Sequence, residues 1–195
     1  MLVRAVDALR RGEVVVYPTE TFYALGVDFS TPGALDHLFS LKMRQPDSPI
    51  ALIAADTTMA FSIAREAPAA ARALAEKFWP GPLTLVLPAR TEIPAGLIGP
   101  DGGVGVRVSP HPLCRALTSA LGHPLTATSA NRSGEPPARS IEEARAYFGG
   151  GVAVYFDGGP ASAVSPSTVV GFDGARVRII RRGAIAESAI VEYLK

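Results

Sequence analysis

The polar residues directly after VVVYP are the first in the chain that could do chemistry. Thr19, Glu20, Thr21 and Tyr23 stand close together there, and two cations, Lys42 and Arg44, follow with K-x-R spacing. Hydroxyl and carboxyl groups on one turn, followed by two cations, suit a polar, multiply charged anion. The same kind of residue recurs beside later apolar stretches. Arg107 interrupts VGVRV, Ser129 and Asn131 follow LTAT, Ser167 and Thr168 open STVV, and Arg181 closes RVRIIR. Taken singly, each has an ordinary explanation. A cation at a helix C-terminus is favoured by the dipole, and Ser-Ala-Asn is common turn chemistry. Gly102, Gly103 and Gly105 permit a tight turn.

The elements that must position these residues can be read from the apolar pattern. Val14–Tyr17 reads as a buried strand, and Pro18 ends it because proline cannot donate to a ladder. Its polar successors then lie at a strand's carboxyl end, where open α/β sheets bind ligands. Val3, Val6 and Leu9 recur at helical spacing, with Gly12 at the expected stop. Thr31-Pro32 predicts an N-cap and first position for a helix ending near Met43. Strands are expected at Ile50–Ala54, Leu83–Leu87, Val104–Val108, Leu125–Thr128 and Val152–Phe156, and in PSTVVGF and RVRIIRRGAI. Helices are expected at Ala67–Trp79, Pro112–Leu121, Ile141–Phe148 and Glu187–Leu194. Interleaved helices and strands, with some strands directly consecutive, predict an α/β domain with a mixed sheet.

Several classes are disfavoured. The chain has no G-x-x-x-x-G-K-[ST] and no strand-following G-x-G-x-x-G. It also lacks G-x-S-x-G and H-E-x-x-H. His37, His111 and His123 have no metal-ligand spacing, and the single cysteine, Cys114, reads as a small core residue. The 195 residues suit one domain, 1–195, with 48% hydrophobic and 19% charged residues. Nineteen Lys and Arg against eighteen Asp and Glu leave a formal charge of +1, which argues against a chain-wide nucleic-acid footprint. The opening MLVR lacks the pattern of a secretory leader, and no apolar run is long enough to span a membrane. A soluble, cytoplasmic protein is the expectation.

Seven segments in order, PTETFYALGVD, LKMR, WPGPLTLVLP, VGVRVSPHP, LTATSANRSGEPP, PSTVV and RRGAI, resemble the YrdC/TsaC-like family. The likeness runs from about Val14 to Ile185. Characterised members are threonylcarbamoyl-AMP synthases, and this chain looks like the short form, the catalytic domain alone. The resemblance implies an open twisted α/β sheet with flanking helices and a concave, basic ligand face. It implies substrates ATP, L-threonine and bicarbonate or CO2, with Mg2+ held mainly by the ATP phosphates. Lys42, Arg44 and Arg181 would then clamp phosphate, with Lys42 and Arg44 catalytic and Ser48 and Asn131 on the nucleotide side. Thr21, Arg107, Ser129 and Ser167 would hold threonine. The product would pass to a tRNA-modifying threonylcarbamoyl transferase complex, and the resemblance also implies weak contact with tRNA or double-stranded RNA. Three positions depart from the family pattern. Gln45 precedes Pro46 after the K-x-R arginine, Ile53 stands where some relatives have histidine, and Arg182 replaces the proline of R-P-G. A non-catalytic RNA-binding module, or a paralogue of the same fold with another activity, is the competing expectation.

Overall fold

The strand after the first helix carries apolar side chains on both faces, so it cannot lie at a solvent-exposed sheet. A computed structural model, which describes every residue except 46, 47, 162, 164, 175 and 195, places this strand, β1 (Val15–Tyr17), between two cores. Val15 and Tyr17 face one core and Val14 and Val16 the other. The smaller core is closed by helices α1 (Leu2–Arg10) and α5 (Pro112–Leu121), through Ala5, Leu9, Cys114 and Leu117. The larger core takes in α2 (Ala34–Lys42), α4 (Ala69–Phe78) and α6 (Ile141–Phe148).

The mixed α/β class stands, with its strands divided between two sheets. The four-stranded sheet runs β7 (Thr128–Ser129), β2 (Ala24–Gly26), β1, β8 (Val154–Tyr155). The six-stranded sheet runs β10 (Arg176–Arg181), β9 (Thr168–Asp173), β4 (Leu83–Pro88), β5 (Gly103–Val108), β3 (Leu52–Ala54), β6 (Leu125–Thr126). Parallel pairs β3/β5 and β4/β9 alternate with antiparallel ones in the six-stranded sheet, while β1/β8 is the parallel pair of the four-stranded one. Two short helices complete the chain, α3 (Thr57–Phe61) and α7 (Glu187–Tyr193).

Three local expectations change. Thr31 is not the cap of α2; that place belongs to Gly33, in the left-handed region at φ 77°. No strand is expected directly after Tyr23, yet β2 follows there and returns antiparallel along β1 with Tyr17 opposite Ala24. The strand expected over Leu125–Thr128 is split, β6 joining one sheet and β7 the other. Pro46 lies outside the described residues.

Candidate functional site

The connection between β1 and β2 is only six residues, Pro18–Tyr23, so its side chains are held close. The Thr19 hydroxyl donates to the Phe22 carbonyl (2.7 Å) and accepts from the Thr21 backbone N–H (3.1 Å). The two hydroxyls of Thr19 and Thr21 lie 3.0 Å apart. This turn forms one wall of a cleft of about 770 Å³.

The opposite wall comes from the six-stranded sheet. Arg107 projects from β5 into the cleft, buried at 6% exposure. Its Nε stands 3.0 Å from Oε1 of Glu20, yet neither atom completes an aligned hydrogen bond. Arg181 reaches the cleft through an irregularity in β10. Register passes from Ile179 opposite Val170 to Arg181 opposite Val169, which leaves Ile180 as an extra residue. Such a bulge re-aims side chains, and Arg178, Ile180 and Arg181 all line the cleft. Arg181 Nη2 donates to the Ser167 carbonyl (2.9 Å) and hydroxyl (3.0 Å). The Ser167 hydroxyl in turn lies 2.9 Å from that of Thr84. Gly183 follows, and a Cβ there would fall 2.4 Å from the Pro166 oxygen and the Ser167 carbonyl carbon. Only glycine lets the strand end pass so near the serine.

The K-x-R pair is set by the end of α2. Met43 closes the helix in the left-handed region at φ 54°, uncommon for a residue with a Cβ. The turn sends its two cations to different places. Arg44 lines the cleft, with Nε on the Ser48 carbonyl (2.8 Å) and Nη2 on the Pro49 carbonyl (3.0 Å). Lys42 goes inward to 1% exposure, and its ammonium donates to the carbonyls of Ser129 and Asn131 and to Asn131 Oδ1. Burial, then the charge of Arg44, pull this ammonium down to about 7. Three oxygens around it use all three protons of the charged form.

Thr21, Arg44, Arg107, Ser129, Ser167 and Arg181 therefore share one cleft. Lys42, Ser48 and Asn131 are not among its lining residues. Lys42 and Asn131 lie beneath the 129–135 segment and support it. The Asn131 amide donates to the carbonyls of Arg132 (3.0 Å) and Glu135 (2.6 Å), and its Oδ1 accepts from the Ser129 hydroxyl (2.6 Å). Ser48 meets Arg44 through its backbone oxygen. Ile53 is fully buried in the smaller core, and Arg182 pairs with Glu187 at 3.0 Å. Sequence reasoning missed Thr84, which reads as a plain strand residue in LTLVL. It also missed Arg178 and Asp101, paired at 2.6 Å on the cleft rim.

Burial lowers the Arg44 guanidinium; burial, then the charges of Arg107 and Arg44, lower that of Arg181. The guanidinia thus repel one another across the cleft, and a bound polyanion would relieve that repulsion. Asp101 is the only carboxylate among the described lining residues. Among the described residues, no group of three or more His, Cys, Asp or Glu could hold a metal, and no helix is long and apolar enough to cross a membrane.

The family model described as telomere recombination, for Sua5, YciO and YrdC, matches residues 7–183. A threonylcarbamoyl-AMP synthase of Chromohalobacter salexigens is 42% identical over 165 residues, 85% of this chain and 89% of its own. P. abyssi Sua5, solved in complex with L-threonine, superposes with a TM-score of 0.93 at 32% identity. That match covers 98% of this chain but only 56% of the P. abyssi chain. E. coli YciO gives a TM-score of 0.85 at 26% identity, covering 97% of this chain and 91% of its own.

Proposed function

We propose, from the premise that this chain belongs to the Sua5/YciO/YrdC family, that it is a threonylcarbamoyl-AMP synthase. One observation carries the reading: Arg44, Arg107 and Arg181 converge with the hydroxyls of Thr21, Ser129 and Ser167 on one cleft. Such a site fits a polyphosphate beside a hydroxylated amino acid. The chain is a nucleotidyltransferase in this reading, and the catalysis is mostly placement and charge neutralisation.

The threonine amine first takes up CO2, or bicarbonate with loss of water, to give a carbamate. A carbamate oxygen then attacks the α-phosphorus of ATP. The new P–O bond forms as the bond to the β-phosphate oxygen breaks, and pyrophosphate leaves with that electron pair. Arg44 and Arg181 face the developing charge on the phosphates, as bidentate guanidinia do well. Arg107 takes the threonine carboxylate, and Thr21, Ser129 and Ser167 offer hydroxyl partners. Lys42 and Asn131 hold the segment that presents Ser129, and the Ser48 carbonyl orients Arg44. The cleft's hydroxyls and one rim carboxylate make a poor all-protein cage, so Mg2+ would be carried mainly on the ATP phosphates and would neutralise their charge. The product is a mixed anhydride, activated for acyl transfer, and a tRNA-modifying threonylcarbamoyl transferase complex would consume it.

The test is incubation with ATP, L-threonine and 13C-bicarbonate, followed by mass spectrometry. A nucleotide product carrying one 13C and one threonine supports the reading. Nucleotide that turns over to AMP without incorporated carbon contradicts it.

A further inference from the structure

Four arginines line the cleft. Arg178 pairs with the exposed Asp101 on its rim, and the other three differ in their surroundings. The described partners of Arg44 and Arg181 are neutral: carbonyls of Ser48 and Pro49 for one, the carbonyl and hydroxyl of Ser167 for the other. Arg107 alone of the three stands against a buried carboxylate, that of Glu20, with side-chain exposures of 8% and 11%. The carboxylate is itself fixed. Its Oε2 accepts from the Ser109 hydroxyl, whose oxygen accepts from the His111 backbone N–H (3.1 Å) at the start of α5. Ser109 is fully buried. Glu20 Oε1 and Arg107 Nε stay close without an aligned hydrogen bond, so the contact is a charge contact on one edge of the guanidinium. The Nη groups of Arg107 make no hydrogen bond to a described residue, and Arg107 lines the cleft.

We infer that Glu20 is a positioning and selectivity residue: it half-neutralises Arg107, so that this arginine accepts a monoanionic carboxylate and rejects phosphate. The inference rests on the synthase reading above. Without such a device, similar guanidinia in one cleft would let the polyanion spread over all of them. A carboxylate a few ångströms from the guanidinium repels a multiply charged phosphate more strongly than a single carboxylate, because the Coulomb energy scales with ligand charge. Glu20 also lies on the β1–β2 turn while Arg107 lies on β5, so the contact fixes one wall of the cleft against the other. Ser109 holds the carboxylate in place, which separates two roles: charge belongs to Glu20, orientation to the Ser109 bond.

The experiment is isothermal titration of inorganic pyrophosphate and of L-threonine, separately and in competition, into wild type, Glu20→Gln and Ser109→Ala. Steady-state inhibition by pyrophosphate, measured against threonine, runs in parallel. In wild type, pyrophosphate should not displace threonine. Glu20→Gln should bind pyrophosphate about tenfold more tightly or better, and pyrophosphate should become competitive with threonine. Ser109→Ala keeps the charge. It should raise the threonine KM several-fold while pyrophosphate stays non-competitive. Both variants are compared by circular dichroism and melting. If Glu20→Gln does not fold, Ser109→Ala with competitive pyrophosphate would overturn the charge argument on its own. Unchanged pyrophosphate affinity in folded Glu20→Gln overturns the inference. Wild type that binds neither ligand would instead overturn the synthase reading.

Discussion

At the scale of residues, two cations that look equivalent in the K-x-R spacing do different work. Arg44 is on the cleft wall; Lys42 is beneath it, and its three acceptors are buried oxygens. Lys42→Met should therefore act on stability as well as turnover. Each buried acceptor left unmet costs about 1–3 kcal/mol, so three together should lower the Tm by roughly 6 °C or more, readable by calorimetry. A Tm that does not move would place Lys42 as a direct anion ligand. Arg181→Lys differs, because it keeps charge and loses the fork that spans the Ser167 carbonyl and hydroxyl. It should lower kcat/KM for ATP by about 10²–10³-fold and leave the Tm within a few degrees. Residue types singled out Thr21, Lys42, Arg44, Arg107, Ser129, Asn131, Ser167 and Arg181, but each had an ordinary explanation until the family resemblance joined them. They could not reveal the inward turn of Lys42, which depends on Met43 adopting a left-handed backbone. Glu20 was visible as a carboxylate, but its role depends on Ser109, 89 residues away.

At the scale of elements, short connections and close approaches set the site. Gly183 passes within 2.4 Å, as a Cβ would measure it, of the backbone around Ser167. Gly183→Ala must push that backbone aside, at about 1–3 kcal/mol by analogy with overpacking, and should impair turnover more than melting. Measured kinetics at wild-type level would show that the Ser167 position is not critical. A second link joins the segment after β2 to the start of β6. His123 Nε2 stands 3.4 Å from Asp28 Oδ1. The hydrogen bond to Asp28 raises the His123 pKa, against burial. A raised folded pKa gives stability that is full below about pH 6.5, the unfolded value, and is lost as pH rises through the folded value. Wild type should thus lose roughly a few tenths to 1 kcal/mol relative to His123→Asn between pH 6 and pH 8, measured by urea titration. Longer elements were legible from periodicity, among them α5, expected over Pro112–Leu121 and found there. β2 was not, and β6 and β7 read as one strand over Leu125–Thr128. A strand as short as β2 carries little period of its own, and tertiary pairing decides where such short strands begin, end and join a sheet.

At the scale of the whole molecule, the chain places two mixed sheets side by side and builds one cleft from both. The β1–β2 turn and β7 come from the four-stranded sheet, while β4, β5, β9 and β10 come from the other. A run of weak motifs spread from residue 19 to 181 becomes one site because the motifs fall at strand ends, on inner strand faces or, for the K-x-R pair, at the end of α2. The α/β class was legible because helical and strand periods alternate along the sequence. The division into two sheets was not, because it turns on which neighbour each short strand chooses. The central claim is that this single cleft joins three substrates. Its most direct test is pyrophosphate release by the purified protein with ATP, L-threonine and bicarbonate, each omitted in turn. The account predicts release that requires all three together. Release from ATP that is indifferent to threonine, or ATP binding with no release in the complete mixture, would contradict it.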